Sequence, residues 1–115
     1  MKKLFGTDGM RGVAGRYPLD AAAVAKLGRA LVELLRSEGL PPEILVGRDT
    51  RESGEWIEAA FLSGVARAGG RGHSAGVIPT SGVAYLTMTG DFSAGAVISA
   101  SHNPYRDNGI KIFSH

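Results

Sequence analysis

The sequence predicts an α/β protein: a three-layer α/β/α domain with a mixed sheet of about four strands, the last of them antiparallel. Segments with apolar residues at helical spacing alternate with short continuous apolar runs, which is the order expected for strands joined by crossover helices. The 17 glycines stand mostly at the ends of these segments, as they do in the short loops of α/β proteins.

The first half of the chain carries two helix signals and one strand signal. Asp20 is typical of a helix start, and apolar residues then repeat at helical spacing until Gly39. Residues 44–46 form a continuous apolar run that indicates a buried strand. Ser53 is expected to cap a second helix, which stops at a Gly-Gly pair.

The second half is predicted to contain two further strands, a short helix and a final strand. Residues 72–78 and 95–101 are the strands, and Thr80 begins the helix between them. Residues 108–113 follow the second of these strands after about six residues, a link too short for a crossover, so this last strand is expected to run antiparallel.

Composition limits the classes of partner. The 115 residues are expected to form one domain with its own core. The net charge is +2, and 13 basic residues are spread among 11 acidic ones, so no nucleic-acid or membrane partner is predicted. No apolar segment approaches the roughly 20 residues of a membrane span, and the chain has no cysteine. These features predict a cytoplasmic domain.

Polar clusters follow three of the predicted strands, where ligands bind in open α/β sheets. They lie at residues 48–49, 80–81 and 101–103. Ser101 is interpreted as a turn serine or as a carrier of a phosphoryl group. A hydrolase is not predicted, because Ser101 does not lie in a G-x-S-x-G motif. A phosphoryl carrier needs cations around it, and the candidates are Arg11, Arg48, Arg51, Arg106 and Lys111. The glycine-rich residues 6–12 are interpreted as a phosphate cradle or an N-terminal turn.

Four motifs resemble those of the first domain of the α-D-phosphohexomutase family. SASHNPYRDNGIKIF at residues 99–113 is similar to the family's phosphoserine loop. FGTDGMRG at 5–12, GRDTRESG at 47–54 and PTSGVAYLT at 79–87 resemble its other first-domain motifs, in the same order. Ser81 stands where the family usually has proline. The resemblance therefore extends over nearly the whole chain.

The resemblance implies an enzyme that moves phosphate between O6 and O1 of a hexosamine phosphate and feeds amino-sugar nucleotide and cell-wall synthesis. Ser101 would carry the phosphoryl group and bind Mg²⁺ through it. Lys111, Arg11 and His102 would be catalytic, and Arg11, His102 and Asn103 would contact the substrate. FGTDG and VAYLT are most similar to bacterial members that act on glucosamine phosphates, and members acting on mannose and glucose phosphates are the alternative.

Enzymes of this family have four domains, and the resemblance implies that residues 1–115 are the first of them. The aspartates of the metal loop belong to the second domain, so the partners would be the remaining domains of the same chain and the hexosamine phosphate. A sugar bisphosphate would be the intermediate and the primer. The competing hypothesis is a non-catalytic, stand-alone domain that binds phosphate or a partner protein.

Overall fold

The computed structural model describes residues 9–13, 20–99 and 107–114, and there it confirms the predicted three-layer α/β/α architecture. In chain order the elements are β1 (Gly9–Val13), α1 (Ala21–Ser37), β2 (Glu43–Arg48), α2 (Gly54–Arg67), β3 (Arg71–Val77), α3 (Thr80–Thr89), β4 (Ala94–Ile98) and β5 (Asp107–Ser114).

The sheet is mixed, with the strand order β1-β5-β4-β2-β3. β2 lies between β3 and β4 and is parallel to both. β5 is antiparallel to β4, as predicted from the short connection between them. On the other side β5 pairs with β1, which adds one strand to the predicted four. The segment GMRGV has little strand propensity of its own, so β1 owes its conformation to pairing with β5.

The two faces of the sheet are covered unequally. α1 and α2 pack together on one face, over the larger core. Among the described helices, only α3 covers the other face, where Val83 packs on Leu45 and Val97. The larger core contains these buried side chains: Val24, Leu31, Val32, Leu35, Ile44, Val46, Ile57, Phe61, Val65, Ala94, Ala96, Ile98, Ile110 and Ile112. Burial of this apolar surface is the main force that holds the helices on the sheet.

Glycines let α1 and α2 approach each other closely. A side chain at Gly64 would collide with the backbone of Ala25, and one at Gly28 would collide with the backbone of Phe61. Two of the glycines in the chain are therefore explained by helix contact, and not by loop conformation.

Both helices start where the sequence predicted, but only α1 has the predicted side-chain cap. Oδ1 of Asp20 accepts a hydrogen bond of 2.8 Å from the backbone N–H of Ala23, which caps α1. Ser53 directly precedes α2, but its side chain makes no capping hydrogen bond, so the expected cap is wrong. Its backbone is already helical, with φ −70° and ψ −14°, whereas a capping residue normally has extended dihedrals.

An ion-pair cluster joins β2 to β3 at the amino ends of these strands. The Glu43 carboxylate accepts a hydrogen bond from Arg71 and lies 2.7 Å from Nε2 of His73. These hydrogen bonds, with His73 the larger influence, lower the pKa of Glu43 below its ordinary value. The His73 ring also contacts Phe92 edge-on, with the ring centroids 5.3 Å apart. His73 therefore has a structural role near the amino ends of the strands, whereas the polar clusters follow their carboxyl ends.

In the part of the chain that the structure describes, no helix is both long enough and apolar enough to cross a membrane.

Candidate functional site

The carboxyl ends of β2, β3 and β4 meet at one edge of the sheet, because these three strands are parallel. Backbone hydrogen bonds continue past the strand ends. The N–H of Asp49 donates to the carbonyl of Ile98 at 3.1 Å, and the N–H of Ile78 donates to the carbonyl of Arg48 at 3.1 Å. The segments that follow the three strands therefore start side by side.

Four of the candidate site residues fall outside the described part of the chain, namely Ser101, His102, Asn103 and the candidate cation Arg106. Ser101, His102 and Asn103 follow Ser99, the first residue after β4 and the last described residue of this connection. Their assigned roles therefore remain predictions.

Lys111 lies in β5 beside the end of β4. It pairs with Val97 of β4 on one side and with Gly9 of β1 on the other. Its side chain is partly buried on the face covered by α3, because Val97 belongs to the smaller core on that face. Arg11 pairs with Gly109, two positions along the same ladder from Lys111. The sheet thus brings these two cationic residues onto adjacent strands.

Arg48 and Arg51, by contrast, form ion pairs within the domain. Nη1 of Arg48 lies 3.2 Å from both carboxylate oxygens of Glu58, and Nη2 lies 3.7 Å from Glu55. Nε of Arg51 donates to Oδ2 of Asp49 at 3.1 Å. Their charges are balanced by these carboxylates, so in the described structure they anchor the β2–α2 connection.

A cavity of about 290 Å³ lies beside this connection, at the same edge of the sheet. It is lined by both charge signs, from the residues Arg48, Asp49, Thr50, Arg51, Glu52, Glu55 and Val77. Because acidic groups outnumber the two arginines, this cavity does not form an anion site by itself.

Asp49 connects the loop after β2 to the start of the connection after β4. Its Oδ1 accepts from the backbone N–H of Arg51 at 3.0 Å, and its Oδ2 accepts from the Ser99 hydroxyl at 3.0 Å. The N–H of Ser99 donates to the carbonyl of Gly109 in β5 at 2.9 Å. Asp49 belongs to the predicted polar cluster at 48–49, whereas Ser99 was not predicted as a site residue. The available signals for Ser99 were its place at the start of the motif at residues 99–113 and its position two residues before Ser101.

The described residues do not by themselves form a site for Mg²⁺. Among them, no three side chains of His, Asp or Glu come together in a way that could hold a metal ion. Asp49 is the carboxylate that directly follows β2, and both of its oxygens already accept hydrogen bonds. A Mg²⁺ ion at this edge would need carboxylate ligands from elsewhere.

Comparison with known proteins identifies relatives along nearly the whole chain. The family model described as "Phosphoglucomutase/phosphomannomutase, alpha/beta/alpha domain I" matches residues 2–115. Phosphoglucosamine mutase of Solibacter usitatus is 58% identical over 99% of this chain and 26% of its own length. Phosphoglucosamine mutase of Syntrophus aciditrophicus is 54% identical over 99% of this chain and 25% of its own length. The chain thus spans about a quarter of the curated relatives that it matches.

Solved structures show the same fold at lower identity. A putative phosphomannomutase from Thermus thermophilus is 29% identical, with a TM-score of 0.84 over 97% of this chain and 25% of that one. A phosphoglucomutase/phosphomannomutase family protein from Burkholderia thailandensis is 29% identical, with a TM-score of 0.82 over 96% of this chain and 25% of that one.

Proposed function

We propose that this chain, which belongs to the phosphoglucomutase/phosphomannomutase family as its alpha/beta/alpha domain I, is the phosphoserine-bearing domain of a phosphoglucosamine mutase. The reaction would interconvert glucosamine 6-phosphate and glucosamine 1-phosphate. The observation that carries the proposal is the 58% identity, over 99% of the chain, to a relative named phosphoglucosamine mutase. The solved structure named a putative phosphomannomutase is only 29% identical, which favours the glucosamine substrate over the mannose alternative.

In the proposed reaction the Ser101 oxygen carries the phosphoryl group. The O–P bond to Ser101 breaks as the free hydroxyl of the sugar monophosphate attacks the phosphorus, which produces a sugar bisphosphate and a free serine. The bisphosphate then reorients, and Ser101 takes a phosphoryl group back from the other position. In each transfer the attacking hydroxyl must lose a proton and the departing oxygen must gain one.

Lys111 and Arg11 are proposed to serve these transfers. The partly buried position of Lys111, next to the end of β4, supports a role near the group that follows this strand. An amine can exchange a proton with the reacting oxygens, whereas the guanidinium of Arg11 hardly deprotonates and would stabilise phosphate charge. His102 and Asn103 are proposed to contact the substrate, His102 also taking part in catalysis.

Mg²⁺ is proposed as the metal cofactor, bound through the phosphate on Ser101. Its carboxylate ligands would be aspartates from the rest of the enzyme, since the described residues hold no such group. When bound, the ion would offset the negative charge that gathers between the two phosphates.

A substrate comparison tests the proposal. Full-length enzyme with Mg²⁺ and a sugar bisphosphate primer is assayed separately with the 6-phosphates of glucosamine, mannose and glucose. We expect glucosamine 6-phosphate to give the highest kcat/KM. A higher kcat/KM with mannose or glucose 6-phosphate would reassign the enzyme to the phosphomannomutase/phosphoglucomutase alternative. No conversion of any of the three would favour the non-catalytic alternative.

Lys111→Met should lower kcat far more than it raises KM, since the change removes the amine and keeps much of the apolar stem. A loss of about 10²- to 10⁴-fold in kcat is the usual range for a group that transfers protons. Steady-state kinetics of the full-length variant measure the two constants separately. Lys26→Met, a change on α1, is the control and should leave both constants unchanged. A rise in KM alone for Lys111→Met would show that Lys111 only binds substrate.

A further inference from the structure

The hydrogen bond between Asp49 and Ser99 lies where the chain turns in opposite directions from two neighbouring strands. After β2 the chain passes through α2 to β3, on one side of β2. After β4 it passes to β5, on the opposite side. The ends of β2 and β4 therefore form a switch point of the sheet, the place where open α/β sheets bind their ligands. Oδ2 of Asp49 and the Ser99 hydroxyl connect the two strands there, 3.0 Å apart.

Asp49 is itself held in place. Its Oδ1 accepts from the backbone N–H of Arg51, and its Oδ2 accepts from Nε of the same residue. The Arg51 side chain is only 10% exposed and the Asp49 side chain 29%, so water screens this ion pair only in part. The N–H of Asp49 also donates to the carbonyl of Ile98 at 3.1 Å. Hydrogen bonds thus hold the carboxylate of Asp49 to Arg51 and its backbone to Ile98.

Ser99 is attached from both sides in turn. Its hydroxyl donates to Asp49, and its backbone N–H donates to the carbonyl of Gly109 in β5 at 2.9 Å. The residue that leaves β4 is therefore bound to β2 through its side chain and to β5 through its backbone. Ser101 follows Ser99 by two residues along the chain.

We propose that Asp49, acting through Ser99, is a positioning residue for Ser101, which rests on the proposed role of Ser101 as phosphoryl carrier. The carboxylate fixes the point from which the chain leaves β4, and so limits where Ser101 can lie. Asp49 is not proposed to touch the substrate. Its loss should therefore reduce the fraction of bound complexes in reactive geometry and leave substrate affinity unchanged. Misplacement of a reacting group by about 1 Å is enough to slow an enzyme about 10²-fold.

The test uses four variants of the full-length enzyme: Asp49→Ala, Ser99→Ala, the double change and Ser99→Thr. We expect each single variant to lose about 10- to 100-fold in kcat with KM changed by less than about 3-fold. The double variant should be no slower than Asp49→Ala alone, because both changes remove the same hydrogen bond. Ser99→Thr keeps the hydroxyl and should recover most of the rate. Ser99→Ala removes only one hydroxyl, so it keeps the test valid where Asp49→Ala fails to fold.

Leu35→Ala is the control for stability. Leu35 is fully buried near the end of α1, where the chain leads into the amino end of β2, so its truncation lowers stability away from the switch point. Below its melting temperature this variant should keep the wild-type kcat. The proposal is overturned if Ser99→Ala and Ser99→Thr both match Leu35→Ala in kcat, or if their losses appear in KM. Full activity of Ser101→Ala would instead overturn the proposed function, and this inference with it.

Discussion

Replacement of Ser101 by alanine should reduce mutase turnover of the full-length enzyme to background. In the proposed reaction the phosphoryl group is always bonded either to this oxygen or to the sugar, and alanine offers no atom to hold it between the two transfers. The substitution also removes the phosphate that this oxygen would carry and the Mg²⁺ proposed to bind through it, so the transfer step itself is lost. The fall should therefore appear in kcat, measured with glucosamine 6-phosphate and a bisphosphate primer.

A matched control is Ser37→Ala, which also removes one hydroxyl. The Ser37 hydroxyl donates to the carbonyl of Leu34 at 2.7 Å at the exposed end of α1. This variant should keep wild-type kinetics. Equal activity of the two alanine variants would contradict the role proposed for Ser101.

The 115-residue chain by itself should fold without catalysing the reaction. Its helices bury apolar faces on both sides of a five-stranded sheet, which gives it a core of its own. A phosphoserine carries about −1.5 to −2 charges near neutral pH, and a second phosphate must approach it. Among the described residues, no three side chains of Asp, Glu or His come together to hold a metal that would offset this repulsion. The chain also spans only about a quarter of relatives named phosphoglucosamine mutase.

Three measurements on the 115-residue chain test this prediction. Circular dichroism should show a cooperative thermal transition, and calorimetry should show weak or undetectable binding of Mg²⁺. An assay with glucosamine 6-phosphate, Mg²⁺ and a sugar bisphosphate should show no turnover. A kcat in the ordinary range of about 1–10³ s⁻¹ would mean that these residues contain the whole chemistry. A chain that does not fold would contradict the first half of the prediction.

Local patterns in the sequence were sufficient for most of the fold. The helical spacing of apolar residues predicted α1 and α2, and the short link before β5 predicted its antiparallel direction, which the structure confirms. β1 was not predicted as a strand, because a glycine-rich segment becomes one only by pairing with β5, which lies far along the chain. The Ser53 cap failed because residue type alone does not reveal that its backbone is already helical.

The candidate site could be predicted only in part. Parallel strands bring their carboxyl ends together, so the polar residues after β2 could be placed beside the end of β4. The ion pairs that bind Arg48 to Glu58 and Arg51 to Asp49 could not be inferred from charge alone. The bond between Asp49 and Ser99 joins residues 50 positions apart, and only the register of β2 and β4 shows that they meet.

The intact mass of the active full-length enzyme tests the central claim most directly. We expect a species with one added phosphate, which is absent from Ser101→Ala. Ser99→Ala should retain the phosphate, since Ser99 is proposed only to position the chain. A phosphate that persists in Ser101→Ala, or an active enzyme that never carries one, would contradict the claim that Ser101 transfers the phosphoryl group.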